Sequence, residues 1–341
     1  MGTLYKLQDY SEAMGIGGML PDWLLLTASV MLALAETMMG VMLLFAINRR
    51  KVTKVLLAFM VVMTALTVWI YMDDPVSDCG CFGDAIVLTN GQTLLKNVIL
   101  LAMVILLAWK PLMMPRFISA RNQWIISYTV GALLIGLVAY ALYFLPPIDF
   151  RPYHIGANIR EGREIPDGAE QPEYETTFIM EKNGEQREFT LDNYPDSTWT
   201  FVDSKSVQVK AGYEPPIHDF DIQEIETGED ITEEVLANKG YTLLLISPHL
   251  ETADDSNFGD IDRIYEEAHN ADVPFYCLTA SGEKGIEYWR NITGAEYPFC
   301  NVDETTLKTM IRSNPGLMLL KDGVVMGKWS YNDLPKDLNL K

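Results

Sequence analysis

Apolar positions follow two regimes along this chain. Up to about residue 146 they come in long unbroken runs, at 23–47, 55–72, 94–109 and 124–145, the third extending back towards 91. Each run approaches the roughly 20 residues that a helix needs to cross the hydrocarbon layer. Helix is the predicted form, because an open strand cannot satisfy its backbone in lipid. Beyond Pro146-Pro147 the runs shorten and alternate. Thr177-Phe178-Ile179-Met180 and Glu188-Phe189-Thr190-Leu191 flank Asn183-Gly184, which signals a hairpin. Residues 199–202 and 207–209 read as further strands of a small β-rich spacer.

From about Tyr213 the pattern becomes β-α-β-α-β-α-β-β. Strands are predicted at 217–225, 241–247, 273–280, 316–320 and 324–329, and helices at 231–237, 260–270, 282–293 and 304–312. Asp322-Gly323 marks the last hairpin. Such an order implies a mixed sheet covered on both faces. The predicted fold is therefore an α-helical transmembrane bundle (1–146), a β-rich spacer (147–212) and an α/β domain (213–341).

Charge sets the expected orientation. Arg49, Arg50, Lys51 and Lys54 follow the first run, and Lys110, Arg116 and Arg121 follow the third, with no acid in either loop. The loop after the second run carries Asp73, Asp74, Asp78 and Asp84. The positive-inside rule puts the basic loops in the cytoplasm and the acidic loop, the N-terminus and everything after Pro147 outside. The net charge of -20 lies almost wholly beyond residue 146. That makes nucleic acid and anionic lipid poor partners for the soluble part. The expected location is a bacterial cytoplasmic membrane, with the C-terminal domain in the periplasm. No secretory signal peptide is visible ahead of the first run.

Two of the four cysteines sit in Asp78-Cys79-Gly80-Cys81-Phe82-Gly83. Gly80 tolerates the torsions that a ring this small needs, and a disulfide closing so short a loop is prone to exchange. Cys79 and Cys81 are the first catalytic candidates. Glu36 is the second, an acid in the middle of the first run among Met31, Met38, Met39 and Met42. An ionisable group there is expected to face the bundle interior, either taking up a proton beside a quinone or fixing helix packing. Nothing marks a haem, iron–sulfur or zinc site: His154, His218, His249 and His269 are scattered. Cys277 and Cys300 fit buried inert thiols, and a structural bridge between them stays open.

Two resemblances extend this reading. The region from Tyr213 to Pro335 resembles the thioredoxin fold of periplasmic thiol-disulfide proteins of the TlpA type. Pro215-Pro216-Ile217-His218-Asp219-Phe220 matches the lead-in, Ser313-Asn314-Pro315-Gly316 the cis-proline element and Lys321-Asp322-Gly323 the hairpin turn. Where that family carries Cys-x-x-Cys, this chain reads Pro248-His249-Leu250-Glu251. The resemblance thus implies a redox-silent domain that binds a partner through Pro248, His249, Asn314 and Pro315. Residues 3–109, with Cys-Gly-Cys-Phe-Gly as the specific part, resemble the DoxX/MauE membrane family, in particular Bacteroidetes-type members with a soluble C-terminal domain. This second resemblance implies a further helix ahead of Tyr5-Lys6-Leu7-Gln8-Asp9-Tyr10, and a link to disulfide maturation or to quinone-coupled oxidation.

Three functions stay open at this level. The chain exchanges disulfides with a periplasmic or membrane protein through Cys79 and Cys81. Or it is a non-enzymatic envelope scaffold in which that pair is a clasp. Or it is a quinone-linked oxidoreductase subunit. No tightly bound cofactor is expected, and quinone is the candidate electron acceptor. The lipid bilayer is a partner in all three.

Overall fold

A computed structural model describes residues 2–73, 88–166, 168–170, 173–182, 185–190, 199–210, 212–213 and 215–338. The apolar runs are helices: α2 (Asp22–Leu44), α3 (Arg49–Asp73), α4 (Asn90–Trp109) and α5 (Gln123–Tyr143). All four are long and apolar enough to cross a membrane. A shorter helix, α1 (Gly2–Ala13), precedes them and buries Tyr10 against Ile70, Leu66 and Trp69 of α3. Hydroxyls within the spans bond to their own helix, as Thr53 does to the Arg49 carbonyl and Thr64 to that of Met60. Asn97 of α4 donates to Thr67 Oγ1 of α3 at 3.3 Å, a buried polar link between two packed helices. Thr89 and Gln92 form a capping box that starts α4.

The two basic loops meet. Arg49 donates to the carbonyls of Leu112 and Met114, and the Asn48 N–H donates to Gln123 Oε1 at 3.3 Å. In an up-and-down bundle this leaves the C-terminal end of α3, the N-terminal end of α4 and the C-terminal end of α5 together on the opposite side.

The described residues of the soluble part form two sheets. The smaller has the order β2-β1-β3, from β1 (Glu173–Lys182), β2 (Glu185–Thr190) and β3 (Thr200–Lys210), all antiparallel. The hairpin expected around Asn183-Gly184 is the β1–β2 pair, and the turn itself lies outside the described residues. The two short strands expected at 199–202 and 207–209 are one continuous β3.

The larger sheet has the order β4-β7-β6-β5-β8-β9. Its strands are β4 (Gln223–Glu224), β5 (Tyr241–Ser247), β6 (Phe275–Thr279), β7 (Phe299–Asn301), β8 (Gly316–Lys321) and β9 (Val324–Ser330). β5 lies parallel to β6 and antiparallel to β8. Its four central residues are fully buried, Leu244 and Ile246 in one core and Leu243 and Leu245 in the other. Alternation along the strand therefore feeds both faces of the sheet. One core is closed by α8 (Phe258–Asn270) and α9 (Glu283–Thr293), through Ile261, Ile264, Ile286 and Trp289. The other is closed by α7 (Thr232–Ala237) and α10 (Glu304–Met310), through Val235, Leu236, Leu307 and Met310. Two parallel crossovers followed by an antiparallel hairpin give a thioredoxin-like sheet. Its last turn, Asp322-Gly323, has both φ angles positive.

Three expectations need correction. Residues 217–222 form no strand: the Ile217 N–H donates to the Gly162 carbonyl and the Ile222 N–H to Thr232 Oγ1, so only 223–224 join the sheet. The three-residue β7 was not predicted, being too short for a period to register. The segment after α5, expected as part of a spacer, packs into the larger sheet's core through Tyr153 and Ile159. It includes a short helix, α6 (Ile159–Arg163), and its backbone bonds along β9 through Gly156 N–H to Val325 O, Val325 N–H to Ala157 O and Ile159 N–H to Gly323 O.

A charge cluster fixes this junction. Asp149 pairs with Arg151 at 2.9 Å and with Lys328 at 2.7 Å, both cations being almost fully buried. Arg151 also donates to the Lys308 carbonyl and Lys328 to the Tyr153 carbonyl. Ser330 and Asn332 donate to the Tyr143 carbonyl and so close the C-terminal end of α5.

Candidate functional site

The C-terminal ends of β5 and β6 and the start of β8 converge on one edge of the larger sheet. β5 leads into Ser247, Pro248 and His249, then a 3-10 turn over Leu250–Thr252. Facing it is the Asn314–Pro315 bond, which is cis as expected. Asn314 ties the two segments together. Its side-chain oxygen accepts from Ser247 Oγ at 2.6 Å, and its amide donates to the His249 carbonyl at 2.9 Å. Its backbone carbonyl accepts from the Asp254 N–H at 3.0 Å.

Behind the turn, Ser281 is the hub. Its hydroxyl accepts from the buried Leu250 N–H at 2.9 Å and donates to Glu251 Oε2 at 2.6 Å. Gly285 of α9 makes room for this pair: a Cβ there would lie 2.3 Å from Glu251 Oε1 and 2.8 Å from Ser281 Cβ. Ser281→Ala leaves the Leu250 N–H without an acceptor. It is expected to destabilise the domain by about 1–3 kcal/mol, the usual cost of a buried unsatisfied donor. Chemical denaturation of the full chain in detergent measures this, and an unchanged midpoint would contradict the role of Ser281.

In front, His249 Nε2 lies 2.9 Å from Glu304 Oε1, which also pairs with Lys308. Three carboxylates here are held below their usual range: Glu304 by Lys308 and then His249, Glu251 by the Ser281 hydroxyl, and Asp254 by the Ser256 hydroxyl. These three groups are thus ionised at neutral pH, and the surface holds no thiol among the described residues. It can bind and orient, but it cannot attack a disulfide.

Pro248 and His249 lie beside Asn314 and Pro315. Pro248 and Pro315 are buried, while the His249 side chain is about half exposed (45 %). Cys79 and Cys81 lie outside the described residues. Glu36 is mid-way along α2 but exposed, not sealed in the bundle as expected, and Lys96 of α4 is near enough to act on it electrostatically. Sequence reasoning missed Ser281, Glu304 and Gly285, whose roles come only from tertiary contact. Cys277 and Cys300 are free and buried. The β6–β7 register pairs Cys277 with Phe299 and Leu278 with Cys300, which sends the two thiols to opposite faces of the sheet and excludes a bridge.

Comparison with known proteins adds three findings. Residues 2–110 match the family described as methylamine utilisation protein MauE, and residues 174–211 match a domain of unknown function (DUF8463). No curated protein matches the chain. Among solved structures, a thiol-disulfide oxidoreductase from Bacteroides fragilis is 13 % identical with a TM-score of 0.27, over 32 % of this chain and 86 % of its own. The bacterioferritin comigratory protein of Xanthomonas campestris is 11 % identical with a TM-score of 0.27, over 34 % and 82 %. A thio-disulfide isomerase from Thermus thermophilus is 11 % identical with a TM-score of 0.25, over 33 % and 81 %. The assignment of the larger domain rests on its own strand order, crossovers and cis-proline. The chain thus joins a MauE-like membrane domain to a thioredoxin-like domain that lacks the Cys-x-x-Cys pair.

Proposed function

We propose that this protein takes part in thiol–disulfide exchange at the outer face of a bacterial cytoplasmic membrane. Cys79 and Cys81 are the exchanging pair, and the thioredoxin-like domain is the module that holds the partner. The observation that carries this reading is the match of residues 2–110, a span that contains Cys79-Gly80-Cys81, to a MauE family model. The joined basic loops support a common side for the soluble domain and the ends of α3 and α4 that flank the cysteine segment, and the positive-inside rule favours the outer side for it.

In the exchange, a partner thiolate attacks one sulfur of the Cys79–Cys81 disulfide, and the mixed disulfide is resolved by the partner's second thiol. The partner leaves oxidised by two electrons, and Cys79 and Cys81 leave as two thiols. Reoxidation needs a two-electron acceptor, for which a membrane quinone is the fitting class. Glu36 is the candidate to take up a proton on that route.

The test is the redox state of Cys79 and Cys81 in native membranes across graded thiol buffers, with Cys79→Ser/Cys81→Ser alongside. The expected result is a reversible two-electron transition at moderate potential, and loss of mixed-disulfide capture in the variant. A pair that never reduces favours the second reading, a scaffold with a structural clasp. The redox-silent edge formed by Pro248, His249, Leu250 and Glu251 is the observation on that side.

A further inference from the structure

On the side opposite the soluble domain, α4 ends at Trp109 and the chain turns sharply. The Lys110 N–H donates to the Leu106 carbonyl, and a 3-10 turn follows at Pro111–Met113. Against the start of α3 this turn forms a recess of about 510 Å³, lined by Arg50, Trp109, Lys110, Pro111, Leu112 and Met113. Arg49 shapes the recess without entering it, because its guanidinium is spent on the Leu112 and Met114 carbonyls.

The lining has two halves. Trp109, Met113 and Leu112 are 77 %, 76 % and 57 % exposed, an apolar wall at the end of a membrane-spanning helix. Lys110 Nζ stands 5.8 Å from the Trp109 ring centroid. Arg50 and Lys110 make no ion pair among the described residues, and neither basic loop contains an Asp or Glu to supply one. Two uncompensated cations beside an apolar wall at this depth match a ligand with a phosphodiester head and hydrocarbon tails.

We propose that this recess is a binding site for an anionic phospholipid, its phosphate between Arg50 and Lys110 and its acyl chains along Trp109, Leu112 and Met113. A cation near a membrane surface adds about five-fold to anionic-lipid affinity, so two are expected to contribute about 30-fold. The charge complementarity is local, in contrast to the acidic surface of the soluble part.

The test is native mass spectrometry of the full chain in detergent, titrated with phosphatidylglycerol or phosphatidylcholine. Phosphatidylglycerol is expected to bind more tightly, and Arg50→Gln/Lys110→Gln to lose about 30-fold of that affinity with phosphatidylcholine unchanged. The charge-conserving Arg50→Lys/Lys110→Arg is expected to keep the preference, which separates loss of the site from loss of the fold. Arg116→Gln/Arg121→Gln, which removes two cations outside the recess, is expected to leave it within about two-fold, well under the loss at the site itself. An equal loss in that control overturns the site, since the effect is then one of diffuse charge. So does equal binding of the two lipids, or displacement of phosphatidylglycerol by inorganic phosphate at matched concentration.

Discussion

Asp149→Asn is expected to destabilise the C-terminal domain by about 3–5 kcal/mol, because it leaves two buried cations without their shared anion. Arg151 and Lys328 are nearly sealed from solvent, and Asp149 is the carboxylate that pairs with both. One anion between two cations also explains their protonation. Hydrogen bonds from Arg151 and Lys328 overcome burial and hold the Asp149 carboxyl down at about 2. Burial and the neighbouring Arg151 push Lys328 down to about 8. Pulse proteolysis of the full chain in detergent, across a urea series, measures the loss. Asp149→Asn/Lys328→Met is expected to recover part of it, since it removes the stranded lysine charge as well. Wild-type stability in the single variant would show that the cluster is solvated and carries no such role.

The same cluster sets a pH dependence at both ends. For Asp149 the folded value lies below the ordinary 3.8, so its contribution, about 2 kcal/mol, is complete above pH ~4 and fades as pH falls through about 2. For Lys328 the folded value lies below 10.5, so between about pH 8 and 10.5 the unfolded chain holds a proton that the folded chain has released. Stability from this group therefore rises with pH across that window.

Alkylation of Cys277 and Cys300 is expected to be at least ~10³-fold slower in the native chain than in denaturant, and to proceed only through opening of the domain. Both thiols are completely buried in the two separate cores. Burial raises Cys277 well above the ordinary thiol range and pushes Cys300 up to about 12. At neutral pH almost no thiolate is present, and thiolate is the reactive form. The Cys79→Ser/Cys81→Ser variant makes the experiment clean, with no label in the native state and two after denaturation. Labelling at the rate of a free thiol, or a non-reducing mass showing a 277–300 bridge, would contradict the β6–β7 register.

The membrane spans were legible because a lipid-facing helix has to be apolar over its whole length, whatever surrounds it. The strand–helix order of the larger domain was legible for a similar reason: a strand buried on both faces, such as Tyr241–Ser247, reads as an unbroken apolar run. Residues 217–222 misled because Ile217, Phe220 and Ile222 are buried like a strand while their backbone bonds go elsewhere. The segment around Tyr153 and Ile159 misled in the opposite way, since Pro152, Gly156 and Asn158 give it the composition of a linker. At the site, His249, Asn314 and Pro315 could be placed by position in the fold. The Ser281–Glu251 pair could not, because it joins residues 30 apart through a hydroxyl that no local pattern marks.

The stretch that runs from α5 along β9 does more than connect. An uncovered β9 would offer a row of unpaired amides and carbonyls to any passing strand. The stalk that anchors the domain is also its edge guard, so where the chain is cut determines what is released. Proteolysis between Leu145 and Asp149 would free a domain with its β9 edge still covered. Cleavage after Arg163 frees one with an open flank and without Tyr153 and Ile159 in its core, a fragment primed to self-associate. Whether a released domain keeps that edge covered is thus set by the roughly 14 residues between Asp149 and Arg163.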